Sequence, residues 1–251
     1  MRFDHAAFFC VSVLWMYTAS PLHAETRSPC RTDGQENHSF VVCEFDLQHY
    51  DLKLFWKKSD GEVYGSLQNI PHGNQSNSAS LVFAMNGGMY RPDRSPVGLY
   101  IENGQELQGA VTASGSGNFY LKPNGIFFVS GNAAGILETN RFLQRRTHID
   151  TATQSGPMLV IGGRIHPRFL SNSTSEKIRN GVGITDTKKV VFVISNDPVT
   201  FMQFAKYFRD QLHCSDALYL DGSISSIYAP SVQRADYLWP LGPIIAVYAR
   251  D

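Results

Sequence analysis

Leu81-Val82-Phe83-Ala84-Met85 runs without a break into Asn86-Gly87-Gly88-Met89-Tyr90. Five apolar residues read as a buried strand, and the glycines behind them permit backbone conformations, or a close ligand approach, that a Cβ would forbid. Working outward, the pairing of an apolar run with a polar, glycine-bearing cluster recurs three times. Residues 217–220 deliver Asp221-Gly222-Ser223, followed by Ser225-Ser226; Ser155-Gly156-Pro157-Met158 opens a short strand; Lys177, Arg179 and Asn180 precede Gly181-Val182-Gly183-Ile184. An acid directly after a buried strand is costly to desolvate without partners, which makes Asp221 more informative than a surface carboxylate. Arg179 at a glycine-rich strand start offers a planar, two-pronged donor face to a phosphate or carboxylate. Taken singly, each cluster also reads as a strand-terminal turn, and Arg179 as a surface ion pair. Four of them along one chain are consistent with one pocket at the edge of a sheet system.

The rest of the chain is also rich in strands. Residues 40–45 and 52–56 read as an opening hairpin around a polar turn at 47–51, and further strands are expected at 98–102, 118–122, 125–129, 182–185, 190–195 and 244–248. Pro123-Asn124-Gly125 reads as a hairpin turn between two of these, and Gly162-Gly163 as another between 160–161 and 164–165. One helix is clear: Thr200 caps a segment in which Phe201, Phe204, Ala205, Phe208 and Leu212 recur at helical spacing. A weaker helix is expected over 139–146, and loops over 71–80 and 171–177. The expected fold class is α+β: a β-rich single domain of mixed sheets with few helices and a pocket at strand ends.

Composition bounds the function. Among 251 residues there are 22 basic and 22 acidic ones, and 43% are hydrophobic, so the chain can bury a large core and has no net charge to attract a nucleic acid. Arg2, an apolar run over 6–17 and a small-residue exit ending at Ala24 have the layout of a secretory signal peptide. That run is shorter than the roughly 20 residues a membrane span requires. Residues 1–24 are therefore expected to be removed, leaving 25–251 as one exported domain, periplasmic or extracellular, with no membrane span. Of the remaining cysteines, Cys30 and Cys43 close a short polar loop and are expected to pair, contributing about 2–4 kcal/mol by restricting the unfolded chain. Cys214 reads as a buried, inert thiol.

Familiar site patterns are missing. The sequence has no GxxxxGK[ST], no HExxH and no paired CxxC, and Ser114-Gly115-Ser116-Gly117 lacks the spacing of a nucleophile elbow. No histidine pair has metal-ligand spacing. No cofactor is expected; the acidic clusters leave room for a divalent cation, but no ligand spacing demands one. Nothing in the sequence speaks to oligomeric state.

In order, Asn86-Gly87-Gly88-Met89-Tyr90, Ser95-Pro96-Val97-Gly98-Leu99-Tyr100, Asn124-Gly125, Ser155-Gly156-Pro157-Met158-Leu159, Arg179-Asn180-Gly181-Val182-Gly183 and Leu220-Asp221-Gly222-Ser223 resemble the phosphodiester glycosidase family. The likeness runs from about Cys30 to the end. More narrowly, it resembles a bacterial exported branch formerly known only as a domain of unknown function. The resemblance implies hydrolysis of a sugar-1-phosphodiester, with a carbohydrate phosphodiester as substrate. A departing phosphate is already a stable anion, so a positive clamp matters more than a general acid. Arg179 occupies the family's arginine position and is the expected clamp, with Lys177 nearby. Asp221, in the Leu-Asp-Gly motif, is the carboxylate expected to activate water, attack C1 or stabilise oxocarbenium-like charge. Asn86 is expected to hydrogen-bond the sugar or phosphate, with Gly87 and Gly88 letting the backbone approach. Ser155, Gly156, Asn180, Gly222 and Ser225 are expected to line the pocket. Asp197 is a candidate second carboxylate that, preceding Pro198, also reads as a turn former. Two positions depart from the family pattern: Ser223 replaces a second glycine, and Ser195-Asn196-Asp197-Pro198 stands where relatives carry Ser-Asp-Gly-Pro. These departures keep open an alternative, a non-catalytic module binding glycans or phosphoglycans.

Overall fold

The structure, a computed structural model, describes Met1 and residues 28–73, 79–222 and 224–250. The expected signal peptide lies, apart from Met1, outside the described residues. So does Ser223.

Three antiparallel sheets share one core. The largest orders β1 (Cys30–Gln35), β2 (His38–Phe45), β13 (Val190–Ser195), β12 (Asn180–Thr185), β14 (Cys214–Tyr219), β10 (Met158–Ile161) and β11 (Arg164–Ile165). The second orders β16 (Arg234–Ala235), β15 (Ile227–Ala229), β4 (Leu81–Asn86), β17 (Ile244–Ala249) and β3 (Tyr50–Phe55). The third orders β6 (Gln105–Gln108), β5 (Tyr100–Glu102), β9 (Thr151–Ser155), β7 (Gly125–Ser130) and β8 (Ala133–Glu138). The β-rich fold class with few helices is the one expected from the sequence.

The packing explains the continuous apolar runs. All six residues of β13 are buried. Its even-numbered apolar residues, Val190, Phe192 and Ile194, enter the central core; Val191 and Val193 face a second cluster on the opposite side. A strand covered on both faces has no polar face to alternate with. Phe192 is where the sheets meet: its ring lies 4.9 Å from Phe83 of β4 and 6.0 Å from Phe127 of β7. The second cluster is closed by α2 (Phe201–Lys206), which bears Phe204 and Ala205. Thr200 caps this helix as expected: its hydroxyl accepts the Gln203 N–H at 3.2 Å, and the Gln203 side chain accepts the Thr200 N–H at 2.8 Å. The helix continues as one π turn, Tyr207–Gln211, which keeps Tyr207, Phe208 and Leu212 all buried against the sheet. The weaker expected helix is present as α1 (Thr139–Arg145).

Three local expectations are corrected. Residues 40–45 and 52–56 do not form a hairpin. β2 is apolar on both faces and takes β1 and β13 as neighbours, whereas β3 crosses to the second sheet and pairs with β17. Residues 118–122 are not a strand, because Asn118–Tyr120 forms a 3-10 turn. Asn124-Gly125 is not a hairpin turn. Asn124 is buried, donating to the Phe119 carbonyl at 3.0 Å and accepting from the Thr139 hydroxyl at 2.8 Å, while Gly125 begins β7. The Gly162-Gly163 hairpin is as expected, with φ of 53° and 75°, joining β10 to β11.

Cys30 and Cys43 are joined by a disulfide between directly opposed positions of β1 and β2. Cys214 is a buried free thiol, pushed up from its ordinary value chiefly by burial. Among the described residues, no helix is long and apolar enough to cross a membrane.

Candidate active site

The three sheets converge at one set of strand ends. Asn86 closes β4, Asn180 opens β12, Asp221 lies just beyond β14, and Ser155 closes β9. Asn86 and Asn180 are almost wholly buried, so their amides need internal partners. Asn180 Oδ1 accepts the Asp221 N–H at 2.8 Å, and Asn86 Oδ1 accepts the Ser226 N–H at 3.0 Å. Backbone N–H groups only donate, so both amide orientations are fixed. Asn180 Nδ2 then faces and donates to Asn86 Oδ1. Two more bonds complete the junction: the Ser155 hydroxyl donates to the Leu220 carbonyl at 2.8 Å, and the Gly88 N–H to the Thr153 hydroxyl at 3.3 Å. Each pair of sheets is thus bonded here.

Asp221 sits above this junction, half-buried. Its carboxylate accepts the Gly222 N–H at 2.6 Å, and its carbonyl accepts the Asn180 N–H at 3.2 Å. The Ser225 hydroxyl donates to that carbonyl at 3.2 Å. Beside it, Ser226 carries a buried hydroxyl with no partner among the described residues.

Arg179 is only 2% exposed. Its Nε donates to the Val199 carbonyl at 2.8 Å and its Nη2 to the Ser175 carbonyl at 3.0 Å, and its guanidinium lies 3.7 Å from the Phe201 ring centroid. None of the ion pairs among the described residues includes it. Burial lowers its pKa from the ordinary guanidinium value, and the neighbouring Tyr219 opposes that shift. The surface ion pair that the sequence alone allowed is therefore not what forms. Among the described residues this buried cation meets carbonyl dipoles and aromatic side chains but no carboxylate in an ion pair, an electrostatic environment suited to an anion.

Tyr219 packs beside the cation: the Arg179 guanidinium lies 5.6 Å from its ring centroid, and its hydroxyl lies against Gly222, next to Asp221 in the chain. Burial raises the Tyr219 pKa, as does the negative charge of Asp221, while Arg179 opposes the rise. Tyr90 is pushed up to about 12, first by burial and then by Asp221.

At the expected glycines the structure leaves little or no room for a side chain. A Cβ on Gly88 would stand 2.5 Å from the Gln154 carbonyl oxygen, one on Gly87 3.1 Å from Pro243, and one on Gly156 2.6 Å from Asn124. At Gly222 the Tyr219 hydroxyl fills the place. These positions are small because the protein packs against itself there. The Asp197 carboxylate accepts the Ser39 N–H at 2.8 Å. Lys177 is exposed and lines a cleft of about 380 Å³ together with Ile178, Gly222, Ser225 and Trp239. Ser226 is part of the cluster that follows Asp221 in the sequence but is not among the expected site residues, and Tyr219 and Trp239 are not expected there either: Tyr219 reads as one more apolar residue of a strand, and Trp239 has no motif around it. Among the described residues no group of three or more His, Cys, Asp or Glu is placed to hold a metal ion.

Comparisons with known proteins place the chain in a family. Residues 79–248 match the model of the phosphodiester glycosidase family. The uncharacterized protein YigE of Escherichia coli K12 is 42% identical over 177 residues, covering 70% of this chain and 69% of that protein. The catalytic domain of zebrafish N-acetylglucosamine-1-phosphodiester alpha-N-acetylglucosaminidase, solved in a form auto-inhibited by its pro-peptide, superposes with a TM-score of 0.56 at 14% identity. That match covers 88% of this chain and 82% of the zebrafish one. A putative exported protein of Burkholderia pseudomallei superposes with a TM-score of 0.50 at 12% identity, covering 84% of this chain and 74% of its own. The matched residues run from before Asn86 to beyond Asp221 and so contain the whole junction; the chain belongs to the phosphodiester glycosidase family.

Proposed function

We propose that the protein is an exported hydrolase that cleaves sugar-1-phosphodiesters of envelope or extracellular glycans. The observation that supports this reading is that one set of strand ends brings together Arg179, buried and in none of the ion pairs among the described residues, and Asp221, whose backbone is bonded to Asn180, the residue after that arginine. Tyr219 packs beside Arg179, with its hydroxyl against Gly222. The bond that breaks joins the sugar C1 to the phosphate oxygen. Asp221 stabilises positive charge developing at C1 or delivers a water to it, and the electron pair of the broken bond leaves on the phosphate. Arg179 lowers the energy of that anion through its field, and Tyr219 offers a hydrogen bond polarised by Arg179. By analogy with other preorganised electrostatic groups, a clamp of this kind is worth about 2–4 kcal/mol. The products are a free sugar and a phosphomonoester. Export rests on the sequence of residues 1–24, the disulfide and the similarity to a putative exported protein.

The test is turnover of purified residues 25–251 against a panel of sugar-1-phosphodiesters in isotope-labelled water. Label is expected on the released sugar, and label on phosphate refutes C1 cleavage. Asp221→Asn retains the backbone bonds to Asn180 and is expected to abolish sugar release, as is Arg179→Ala with folding checked in parallel. Full activity in both variants overturns the assignment. Saturable binding without product across the panel selects the non-catalytic module instead.

A further inference from the structure

The residues Tyr237, Leu238 and Trp239 are consecutive and exposed at 39%, 89% and 56%. Exposing three large apolar side chains in a row is unfavourable unless they meet something. The segment is held at both ends. Before it, the Asp236 N–H donates to the Ile227 carbonyl at 2.9 Å, and the Asp236 carboxylate accepts from Ile227 N–H and Arg234. After it, the Pro240 carbonyl accepts the Tyr90 hydroxyl at 2.8 Å, and the Leu241 N–H donates to the Gly65 carbonyl at 2.8 Å with Leu241 itself buried. Trp239 is therefore presented on a strap anchored on both sides, and it lines the cleft together with Lys177, Ile178, Gly222 and Ser225.

From this we infer that Trp239 and Lys177 form a subsite for the group beyond the phosphodiester, and that this group is a pyranose ring stacked on the Trp239 indole. The inference rests on the reading of the site given under Proposed function. The cleft, at about 380 Å³, lies near the small end of ligand pockets. Its walls alternate an aromatic face and Ile178 with an ammonium and a hydroxyl. That combination suits a ligand with one apolar face and a rim of hydroxyls, and it suits an alkyl chain poorly. Pyranose C–H bonds carry partial positive charge and meet the negative face of an indole favourably. Lys177 supplies a compact charge for the phosphate attached to that ring. Ser225 donates its proton to the Asp221 carbonyl and so presents lone pairs to a sugar hydroxyl.

The experiment measures equilibrium binding rather than turnover, so that its failure is separate from failure of the catalytic reading. Three probes of similar charge are compared by tryptophan fluorescence and calorimetry: a hexose phosphate monoester, methyl phosphate and n-hexyl phosphate. The hexose phosphate is expected to bind about tenfold more tightly than methyl phosphate. Trp239→Ala is expected to remove that advantage without changing methyl phosphate binding, and Lys177→Ala to weaken both. Both positions are exposed, and unfolding midpoints confirm that the variants fold. Equal affinity of the wild type for hexose and methyl phosphate overturns the proposal, as does a hexose advantage that survives Trp239→Ala. Tighter binding of hexyl phosphate than of hexose phosphate also overturns it, in favour of an apolar chain on the strap.

Discussion

Replacing Asn180 by aspartate preserves its shape and removes only an amide donor, which makes it a sharp probe of the junction. One oxygen of the new carboxylate still accepts the Asp221 N–H, as Asn180 Oδ1 does now at 2.8 Å. The other oxygen faces Asn86 Oδ1, which already accepts the Ser226 N–H. Turning the Asn86 amide over would present a donor to the new group but strand the Ser226 N–H. In either arrangement one buried polar group goes unsatisfied, at a cost of about 1–3 kcal/mol, and desolvating the carboxylate adds to it. With about 3 kcal/mol in total and about 2–4 °C per kcal/mol for a domain of this size, melting should fall by about 6–12 °C at pH 7. The pH dependence follows from the environment. Burial and a facing acceptor oxygen favour the protonated acid, so its folded pKa lies above its unfolded value of about 3.9. When protonated it donates to Asn86 Oδ1 and restores the missing bond. The deficit is therefore small near pH 4 and grows as pH rises through the folded pKa. Thermal unfolding followed by circular dichroism, for wild type and Asn180→Asp at several values from pH 4 to 7, reads this directly. A deficit that stays flat across that range, or a variant that melts with the wild type at pH 7, refutes the proposed arrangement of amides.

Three further outcomes are expected. Gly88→Ala places a methyl 2.5 Å from the Gln154 carbonyl and should cost about 1–3 kcal/mol in urea unfolding, whereas Gly109→Ala, with its nearest neighbour at 3.7 Å, should be close to neutral. Equal effects at the two sites would contradict the packing. Tyr219→Phe keeps the ring beside Arg179 and removes the hydroxyl, so turnover should drop about 10- to 100-fold while substrate binding changes little; unchanged kcat removes Tyr219 from the mechanism. Alkylating residues 25–251, denatured without reductant, should label one cysteine, Cys214, and two or more labels would mean that Cys30 and Cys43 are not bridged.

Strands were legible where burial is written in apolar side chains. β13 and β4 announce themselves as Val-Val-Phe-Val-Ile and Leu-Val-Phe-Ala-Met. β9 does not: Thr151-Ala152-Thr153-Gln154-Ser155 is buried at all five positions, yet its side chains are satisfied by specific bonds that only the fold supplies. Gln154 alone bonds Leu99, Val111 and Thr139. The edge strands β1 and β6 are too polar to announce themselves. At the site, Asn86, Asn180 and Asp221 stood out because polar residues ended apolar runs. The reason for the glycines beside them was hidden, because what fills the missing Cβ space comes from Pro243 and Gln154, far along the chain. Trp239 escaped notice for the same reason: only the strap's anchors carry it to the cleft.

The junction of Asn86, Asn180 and Asp221 divides the site by what each residue must answer for. Residues of the floor bond the sheets to one another, so a substitution there should act on stability before it acts on activity. The side chains of Lys177 and Trp239 hold nothing but the rim. Substitutions at these two exposed positions should therefore leave the fold intact, so that the rim can be altered without disturbing the floor.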